Sequence, residues 1–514
     1  MASRLIIRQR EYHDSVRLMR VSEALRHESG VTEAIAMMAT PNNRKILSTS
    51  GLLTPEASAA NPDDLIIAIV ADTEADADQA LEAANQLLAQ KPQNNQGAAI
   101  QPRSLDAAVV TQPETNLACI SVPGTYAFRE AKRALELGLN VFLFSDNVSL
   151  EHERSLKELA ATQNRLLMGP DCGTALINGV GIGFANAVAR GRVGLVAASG
   201  TGTQEISSLL DWLGLGVSQA IGTGGRDLKQ EIGGLCMLQG LQILADDSDT
   251  DVIVVTSKPP SPSVAEKIIA ACAALPKPVV VNFVGQDMTG KQDNLTFTRT
   301  LAETAQAAAR VLGVTAPLPA LSEAEQDAFL QTSLKNHGPK QRFLRGLYAG
   351  GTLCYEALFL LQAVVGDVYS NLRHDAFELT DPATSRDHTV IDMGDDAYTE
   401  GRAHPMIDPL LRNQRILAEA QDPEVALLLL DLVLGFGAHE NPAELLSETI
   451  LQARALAASQ GRNLPVIVTV CGTRADPQNY ALQVAELRKA DILVAHNNAE
   501  AVTLAGRYLR MLHD

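Results

Sequence analysis

The chain has 514 residues, of which 46% are hydrophobic and 20% are charged, and its formal net charge is −18. This composition is that of a globular protein, so it excludes a mainly disordered chain, and the length predicts about three or four domains. No segment concentrates Lys and Arg with aromatic residues, which argues against a nucleic-acid partner, and the acidic balance argues against binding to anionic membranes.

The first eleven residues carry charges throughout and lack the apolar core of a signal peptide. No apolar run reaches the roughly 18 residues that a membrane span needs. The six cysteines are scattered without a CxxC pair, which favours a reducing compartment and predicts neither a disulfide framework nor a zinc site. We therefore expect a cytoplasmic protein without a membrane span, a disulfide framework or a zinc site.

Short apolar runs alternate with amphipathic helical stretches from one end of the chain to the other. Such runs are typical of strands buried on both faces of a parallel sheet, with the helices as crossovers. The predicted fold class is α/β, doubly wound more than once. The polar stretches 92–102 and 318–341 read as linkers, and the predicted domains are 1–95 (a small α/β domain), 104–190, 191–317 and 342–514.

The third and fourth predicted domains follow one plan of strand, glycine turn and helix. In both, the helix opens with Gly-Thr-x-x-x-Glu, once at 200–205 and once at 351–356. Free amides and the dipole at a helix start favour an anion, and glycines let it approach closely. A capped turn without a ligand is the alternative, but the matching pair favours a phosphate site made of Ser199, Gly200, Thr201, Gly202, Thr203, Gly350, Gly351 and Thr352.

The two glutamates of these motifs, Glu205 and Glu356, lie one turn into their helices. They are candidate general bases, and stabilisation of the helix dipole explains them equally well. The segment 392–409 adds His404 as a candidate general base or phosphate ligand and Asp408 as a ligand for Mg²⁺ or an amide substrate. A loop with Asx turns and a structural histidine is the alternative there.

Further loops follow predicted strands, where ligands bind in parallel sheets. Cys172 is a weak candidate nucleophile, because no histidine lies near it in sequence. No G-x-x-x-x-G-K-[ST] motif is present, and no G-x-G-x-x-G follows the first strand, so the sequence predicts neither familiar kind of nucleotide site. The candidate substrate-loop residues are Asp171, Cys172, Gly224, Gly225, Arg226, Asp395, Asp396 and Gly435.

Several motifs together carry a family resemblance. The stretches at 169–172, 199–205 and 222–225 resemble the α subunit of succinyl-CoA synthetase over about 110–315, and residues 342–514 resemble the carboxyl-terminal domain of its β subunit. Over its whole length the sequence resembles the FdrA family of NDP-forming acyl-CoA synthetase-like proteins, on phrases such as MGPDCGTA, IGTGGRDL and HPMIDP.

The resemblance implies a CoA-binding-like Rossmann domain at 104–190 and two flavodoxin-like ligase domains at 191–317 and 342–514. Two departures matter. No segment remains for the nucleotide-binding ATP-grasp domain of the synthetases, and the stretch 285–292 lacks their phosphorylated histidine. The usual relay from ATP to histidine to acyl group therefore cannot run. The first glycine loop of the CoA site is also missing, so CoA is only a possible ligand. Phosphate is the expected ligand, and the resemblance leaves Mg²⁺ undecided.

The family is linked to allantoin-type purine nitrogen catabolism, where the resemblance implies a carbamoyltransferase that works with partner subunits. It would form carbamoyl phosphate from oxalurate and phosphate. An acyl- or carbamoyl-transferring subunit that works through an acyl phosphate is thus the leading hypothesis. The alternatives are an acyl-CoA ligase that takes ATP chemistry from a partner chain, with His404 as phosphate carrier, and a non-catalytic scaffold. Homo-oligomers, partner subunits or both are expected.

Overall fold

The computed structural model describes residues 2–13, 15–49, 52–89, 102–335, 337–381, 383–399 and 402–513. The chain divides into two compact units, one of residues 1–101 with 394–408 and one of residues 102–393 with 409–514. The predicted domain end at 95, like most of the predicted linker 92–102, lies outside the described residues. None of the described helices combines the length and apolar character needed to cross a membrane.

The first unit contains a three-stranded antiparallel sheet in the order β1-β3-β2. Its central strand reads LIIAIVA and is covered on both sides: Ile67 and Ile69 pack with α1 and α4, and Ile66 and Ala68 with α2 and α3. The elements are β1 (Ala2–Arg8), α1 (Ser15–Arg26), β2 (Val31–Met38), α2 (Pro41–Thr49), α3 (Pro55–Ser58), β3 (Leu65–Ala71) and α4 (Glu74–Ala89).

The second unit begins with a three-stranded parallel sheet in the order β4-β5-β6. Alanines of α6 and leucines of both strands and helices form its core. This sheet occupies the region for which the sequence predicts a Rossmann domain. Its elements are α5 (Leu105–Thr111), β4 (Leu117–Ile120), α6 (Gly124–Glu136), β5 (Asn140–Leu143), α7 (Leu150–Thr162) and β6 (Leu167–Met168).

Next comes an eight-stranded mixed sheet in the order β13-β14-β12-β11-β9-β10-β7-β8. The hairpin β7-β8 pairs antiparallel with β10, so residues 174–183 extend this sheet, although the sequence places them in the preceding domain. The elements are β7 (Thr174–Ile177), β8 (Val180–Gly183), β9 (Arg190–Ala198), α8 (Gly200–Trp212), β10 (Val217–Gly222), α9 (Leu235–Asp246), β11 (Val252–Ser257), α10 (Pro262–Ala273), β12 (Val279–Phe283), β13 (Gly290–Gln292), β14 (Leu295–Phe297) and α11 (Leu301–Val311).

The last sheet has five parallel strands in the order β16-β15-β17-β18-β19. Helix α14 belongs to the segment 394–408 and so to the first unit. The elements are α12 (Glu323–Leu334), β15 (Phe343–Tyr348), α13 (Gly351–Val365), β16 (Thr389–Asp392), α14 (Asp396–Thr399), α15 (Leu410–Gln421), β17 (Val425–Val433), α16 (Pro442–Ser459), β18 (Val466–Cys471), α17 (Tyr480–Lys489), β19 (Leu493–Ala495) and α18 (Asn498–His513).

Both large sheets contain the same strand order. The parallel core β10-β9-β11-β12-β14 and the sheet β16-β15-β17-β18-β19 each read 2-1-3-4-5 along their own segments, which is the flavodoxin-like order. The predicted α/β class and the repeated plan are thereby confirmed. In such sheets ligands bind beyond the carboxyl ends of the strands where the order reverses, here at β9/β11 and at β15/β17. The helices α8 and α13 begin at these two points.

Candidate functional site

The two Gly-Thr helix starts meet in the folded chain. Ser199 precedes α8, and its Oγ lies 2.7 Å from Oγ1 of Thr352 in the first turn of α13. The amide of Thr352 donates to Oγ1 of Thr201 over 3.2 Å. Ser199 also accepts the amide of Gly202, while Oγ1 of Thr203 donates to the Ser199 carbonyl. The hydroxyls therefore cap their own turn and bind the two turns to each other.

A carboxylate of the chain itself occupies the loop before α13. Asp431 accepts the amides of Ala349 and Gly350 over 2.8 and 2.6 Å, and it pairs with Arg412 at 3.0 Å. Burial raises the pKa of Asp431, and the guanidinium of Arg412 opposes that shift. The amide of Gly350, one of the predicted phosphate ligands, and the amide of Ala349 before it are therefore already satisfied by this carboxylate.

The next residue of that turn, Gly351, faces a second carboxylate. A Cβ atom at this position would overlap the carboxyl group of Asp392 and would lie 3.1 Å from Nζ of Lys258. Lys258 and Asp392 form an ion pair of 3.7 Å. The start of α13 is therefore surrounded by two carboxylates and one partly exposed ammonium group.

The start of α8 is less occupied. A Cβ atom at Gly200 would touch only Oγ1 of Thr174, at 3.3 Å, and Cα of Gly173, at 4.0 Å. Within the described ranges, the buried hydroxyls of Thr174 and Ser257 have no hydrogen-bond partner. Ser257 ends β11 and is in register with Ala198, two residues before Gly200. Unpaired buried hydroxyls are rare in folded proteins, so this half of the site has two hydroxyl groups available to a ligand.

Glu205 and Glu356 exchange helix caps between the two sheets. Glu205, on α8, accepts the amide of Asn498 at the start of α18 over 3.2 Å. Glu356, on α13, accepts the amide of Leu301 at the start of α11 over 2.7 Å and Nδ2 of Asn498 over 2.8 Å. Each carboxylate therefore stabilises a helix start in the opposite domain. Burial raises the pKa of both groups to about 7.

These raised pKa values predict a pH dependence of stability. Because the folded pKa of Glu205 lies above the usual 4.5, the native state binds more protons than the unfolded state between those values. The contribution of Glu205 to the free energy of unfolding should therefore fall as pH rises from about 4.5 to about 7. The free energy of unfolding, measured in urea at several pH values, should depend less on pH in Glu205→Gln than in the parent. The exposed control Glu448→Gln should show the same pH dependence as the parent. If the free energy of unfolding changes equally steeply with pH in Glu205→Gln and in the parent, the prediction is wrong.

Two predicted substrate loops pack against each other beside β7. Gly224 has φ +85°, and a side chain there would strike the carbonyl of Pro170. A Cβ atom at Gly225 would lie 3.0 Å from Oδ2 of Asp171. Cys172 is buried, and burial raises the pKa of its thiol to about 12. A thiol in this environment stays protonated, which argues against a nucleophilic role for Cys172.

Arg226 and Gly435 are both held by the protein. Arg226 forms an ion pair of 2.9 Å with buried Glu153 of α7. The amide of Gly435 donates to Oε1 of Gln478 over 3.0 Å, and its carbonyl accepts Nε2 of the same side chain over 2.8 Å. The residue after Gly435 bridges to Ala185. These contacts give both loops a fixed backbone, and their substrate roles stay predictions.

The remaining candidates, Asp395, Asp396, His404 and Asp408, belong to the first compact unit. The carbonyl of His404 accepts the amides of residues 407 and 408, so it forms a local turn, and Arg402 donates to Asn43 over 2.6 Å. The described residues contain no cluster of three or more His, Cys, Asp or Glu that suits a metal ion. The catalytic roles of these residues remain predictions.

Three residues at the site are not among the sequence-based candidates. Asp431 had a usable signal, because it interrupts the apolar strand VALLLLDLV. Lys258 follows β11 directly, in the position where a ligand-binding loop is expected. Asn498 had no local signal, since its partners lie more than 140 residues away along the chain.

Family models match three parts of the chain. Residues 347–508 match a model described as CoA-ligase, and residues 189–285 match a CoA binding domain. Residues 1–103 match a model described as AllF, heavy metal-associated domain. The CoA-binding match thus covers β9 to β12 of the eight-stranded sheet rather than residues 104–190, for which the sequence predicts the CoA-binding-like domain.

YahF of Escherichia coli (strain K12) is 43% identical over 511 residues, which cover 99% of either chain. The chain belongs to the FdrA family of acyl-CoA synthetase-like proteins. This FdrA-family chain is also 29% identical to the α subunit 2 of ADP-forming succinate–CoA ligase from Archaeoglobus fulgidus, over 29% of its own length and 52% of that relative. It therefore spans about half of that subunit.

Among solved structures, ATP citrate lyase from Methanothrix soehngenii in complex with citrate and coenzyme A aligns with 80% of the FdrA-family chain and 85% of its own chain. The sequence identity is 12% and the TM-score is 0.35. The relatives and family models together make this chain an acyl-CoA synthetase-like protein, similar to ligase subunits.

The heavy-metal-associated match raises the question of a metal. Soft metals favour thiolate and thioether ligands, but the first cysteine of the FdrA-family chain is Cys119, beyond the matched residues 1–103, and Met37 and Met38 are buried in the cores on the two faces of the sheet. His13 lies 3.0 Å from Glu11 in the loop after β1, and no third ligand joins them among the described residues. The residues present do not fit a soft-metal site, and no step of the chemistry is assigned to a metal.

Proposed function

We propose that this chain is the acyl- or carbamoyl-transferring subunit of a multi-subunit transferase that forms an acyl phosphate. The specific reaction is the formation of carbamoyl phosphate from oxalurate and phosphate, in the catabolism of purine-derived allantoin nitrogen. The contact between the starts of α8 and α13, through Ser199 and Thr352, carries the proposal. The AllF match of the first domain supports it.

The chemistry needs only positioning by the chain. The first turn of α8 binds phosphate with its amides, helped by the hydroxyls of Thr174 and Ser257 and by the nearby ammonium group of Lys258. A phosphate oxygen attacks the carbamoyl carbon of oxalurate, forming a C–O bond. The C–N bond breaks, its electron pair stays on nitrogen, and the phosphate proton moves to that nitrogen, which releases oxamate. No ATP and no phosphohistidine are required.

The test uses the full chain with the subunits that co-purify with it. Incubation with oxalurate and inorganic phosphate should produce the ³¹P resonance of carbamoyl phosphate without ATP, and omission of oxalurate should abolish it. Product that forms only with ATP and Mg²⁺ would overturn the proposal. A third outcome is that no carbamoyl phosphate forms with or without ATP and Mg²⁺, although phosphate binds at α8. This result would reject the carbamoyl reaction but not the anion site.

The second candidate is an acyl-CoA ligase that obtains ATP chemistry from a partner chain. The CoA-ligase and CoA-binding matches favour it. It requires a phosphate carrier, for which His404 is the candidate. Incubation with ATP and Mg²⁺ followed by mass spectrometry should show no acid-labile phosphate on His404 if phosphate transfer is direct, and a phosphorylated His404 would establish the ligase. The third candidate, a scaffold, is disfavoured by the unpaired hydroxyls beside Gly200.

Replacing Gly200 tests the anion site directly. Gly200→Val should leave the chain folded, because the one close contact of a Cβ atom is with the side-chain oxygen of Thr174, at 3.3 Å, which has to shift only slightly. The added side chain should also obstruct the space before α8. We expect phosphate affinity in calorimetry to fall about tenfold or more, which corresponds to about 1.4 kcal/mol. Gly351→Val should destabilise the fold as well, since it collides with Asp392. Thr201→Ala should have a milder effect on affinity.

Exposed Ala189→Val is the control for the added volume and should leave phosphate binding unchanged. Circular dichroism separates lost binding from lost structure. A folded Gly200→Val variant that binds phosphate as tightly as the parent would show that the two turns are ordinary helix caps.

A further inference from the structure

A groove of about 680 Å³ lies away from the helix starts, at the carboxyl ends of β18 and β19. One wall is the end of α8 and the other is the outer face of α17. Most of the exposed lining is apolar, and its size is in the range of small-molecule sites. The residues that define its character are Trp212, Arg474, Tyr480, Val484, Arg488 and Val494.

The aromatic wall is held in place by its neighbours. Nε1 of Trp212 donates to the carbonyl of Gly472 over 2.9 Å, and the ring of Tyr480 meets the indole edge-on with 5.1 Å between centroids. The guanidinium of Arg474 lies 4.6 Å from the centre of the Trp212 ring. The groove therefore offers flat apolar surface with a cation beside it, an arrangement that suits a ligand with both a ring and a negative charge.

The charge of the groove is opposite to that of the chain. Its lining includes Arg474, Arg488, Lys489 and His496 but no Asp or Glu, although the net charge of the protein is −18. Lys489 pairs with Glu486 at 2.7 Å. Throughout the part of the chain that the structure describes, no salt bridge or side-chain hydrogen bond involves Arg474 or Arg488. Glu486 and Glu325 lie near the rim, the latter interacting electrostatically with Arg488 and His496, but the lining itself is cationic and therefore attracts anions.

We propose that this groove binds a small organic anion with a flat ring, the ring against Trp212 and Tyr480 and the anionic group at Arg488. The site is separate from the proposed phosphate site, because the 13 residues of α8 place Trp212 about 20 Å from the first turn. Both sites share α8, and the inference does not depend on the proposed reaction.

Trp212 is the only tryptophan of the chain, so its fluorescence reports on this groove alone. The full chain is titrated with benzenesulfonate, with benzyl alcohol as the ring without charge, and with methanesulfonate as the charge without a ring. Benzenesulfonate should change the Trp212 emission in a saturable way, with an affinity at least about tenfold higher than that of either control. Equal responses to all three compounds would overturn the proposal.

Two variants test the assignment of the groove. Arg488→Ala should weaken benzenesulfonate binding about tenfold, and Ala485→Glu, at an exposed position of the lining, should abolish it by placing a carboxylate in the groove. Exposed Arg310→Ala is the matched control and should bind like the parent. Unchanged benzenesulfonate binding in both groove variants would reject the site. A Trp212 emission that depends on protein concentration in the absence of ligand would also reject it, and would indicate that the groove is an interface between copies of the chain.

Discussion

Replacing Asn498 with leucine should lower the free energy of unfolding by about 3–5 kcal/mol. The buried Asn498 side chain donates to Glu356 over 2.8 Å and to the Leu353 carbonyl over 2.9 Å, and it accepts the hydroxyl of Tyr348 over 3.2 Å. Leucine has a similar size but forms no hydrogen bonds, so Oε2 of Glu356 and the hydroxyl of Tyr348 lose their Asn498 partner in the interior, and each unsatisfied buried group costs about 1–3 kcal/mol. The loss should be visible as a lower midpoint in urea unfolding.

The matched control is Asn413→Leu. Nδ2 of Asn413 reaches the carbonyl of Leu445 at only 3.5 Å, and its Oδ1 is buried without a partner, so this change should cost about 1 kcal/mol or less. If the two variants unfold at the same urea concentration, Asn498 does not join the two domains in the way that its hydrogen bonds indicate.

A comparable loss, about 3–5 kcal/mol, is expected for Lys157→Met. Lys157 extends from α7 into the loop after β10, where its ammonium group lies 2.7 Å from Asp227, 3.0 Å from Glu153 and 2.9 Å from the carbonyl of Thr223. Burial acts to lower the pKa of Lys157, but the two carboxylates outweigh it and the pKa is raised. Methionine has an unbranched side chain one atom shorter than that of lysine, and it leaves two buried carboxylates without this cation.

A second set of variants tests whether the loss of stability comes from the unpaired charge. Glu153 keeps its ion pair with Arg226 in the single variant, so the carboxylate that loses its cation is Asp227. The double variant Lys157→Met with Asp227→Asn removes that charge and should be more stable than the single variant. Exposed Lys132→Met should change the unfolding midpoint little. A double variant that is no more stable than Lys157→Met would mean that the cluster contributes through packing. Because Asp227 also accepts the amide of Met237, the single variant should additionally loosen the start of α9.

Local patterns were enough to predict much of the fold. Strands such as VALLLLDLV and VIVVTS are nearly all apolar because both faces are covered, and the Gly-Thr-x-x-x-Glu repeat marks the two places where the strand order reverses. The pairing of 200–205 with 351–356 is therefore visible in the sequence, since each copy carries the same turn. The hairpin at 174–183 was not assigned to the next sheet, because its edge position depends on one antiparallel pairing.

The site beyond the helix starts depends on long-range contacts, which short motifs do not contain. The partners of Asn498 lie on α8 and α13, and the carboxylate before α13 comes from the middle of β17. The segment 394–408 follows β16 directly, yet it groups with residues 1–101, and Arg402 donates to Asn43 more than 350 residues away. A local sequence pattern cannot indicate a contact between residues so far apart along the chain.

The exchanged caps of Glu205 and Glu356 make each of the two flavodoxin-like halves incomplete. If the backbone were cut between α11 and α12, one fragment would expose the start of α11 without Glu356, and the other the start of α18 without Glu205. Such fragments would behave as an obligate heterodimer, and mixing them should restore structure that neither has alone. The alignment of the two Gly-Thr turns would then be established by the docking of the halves themselves, before any substrate or further subunit binds.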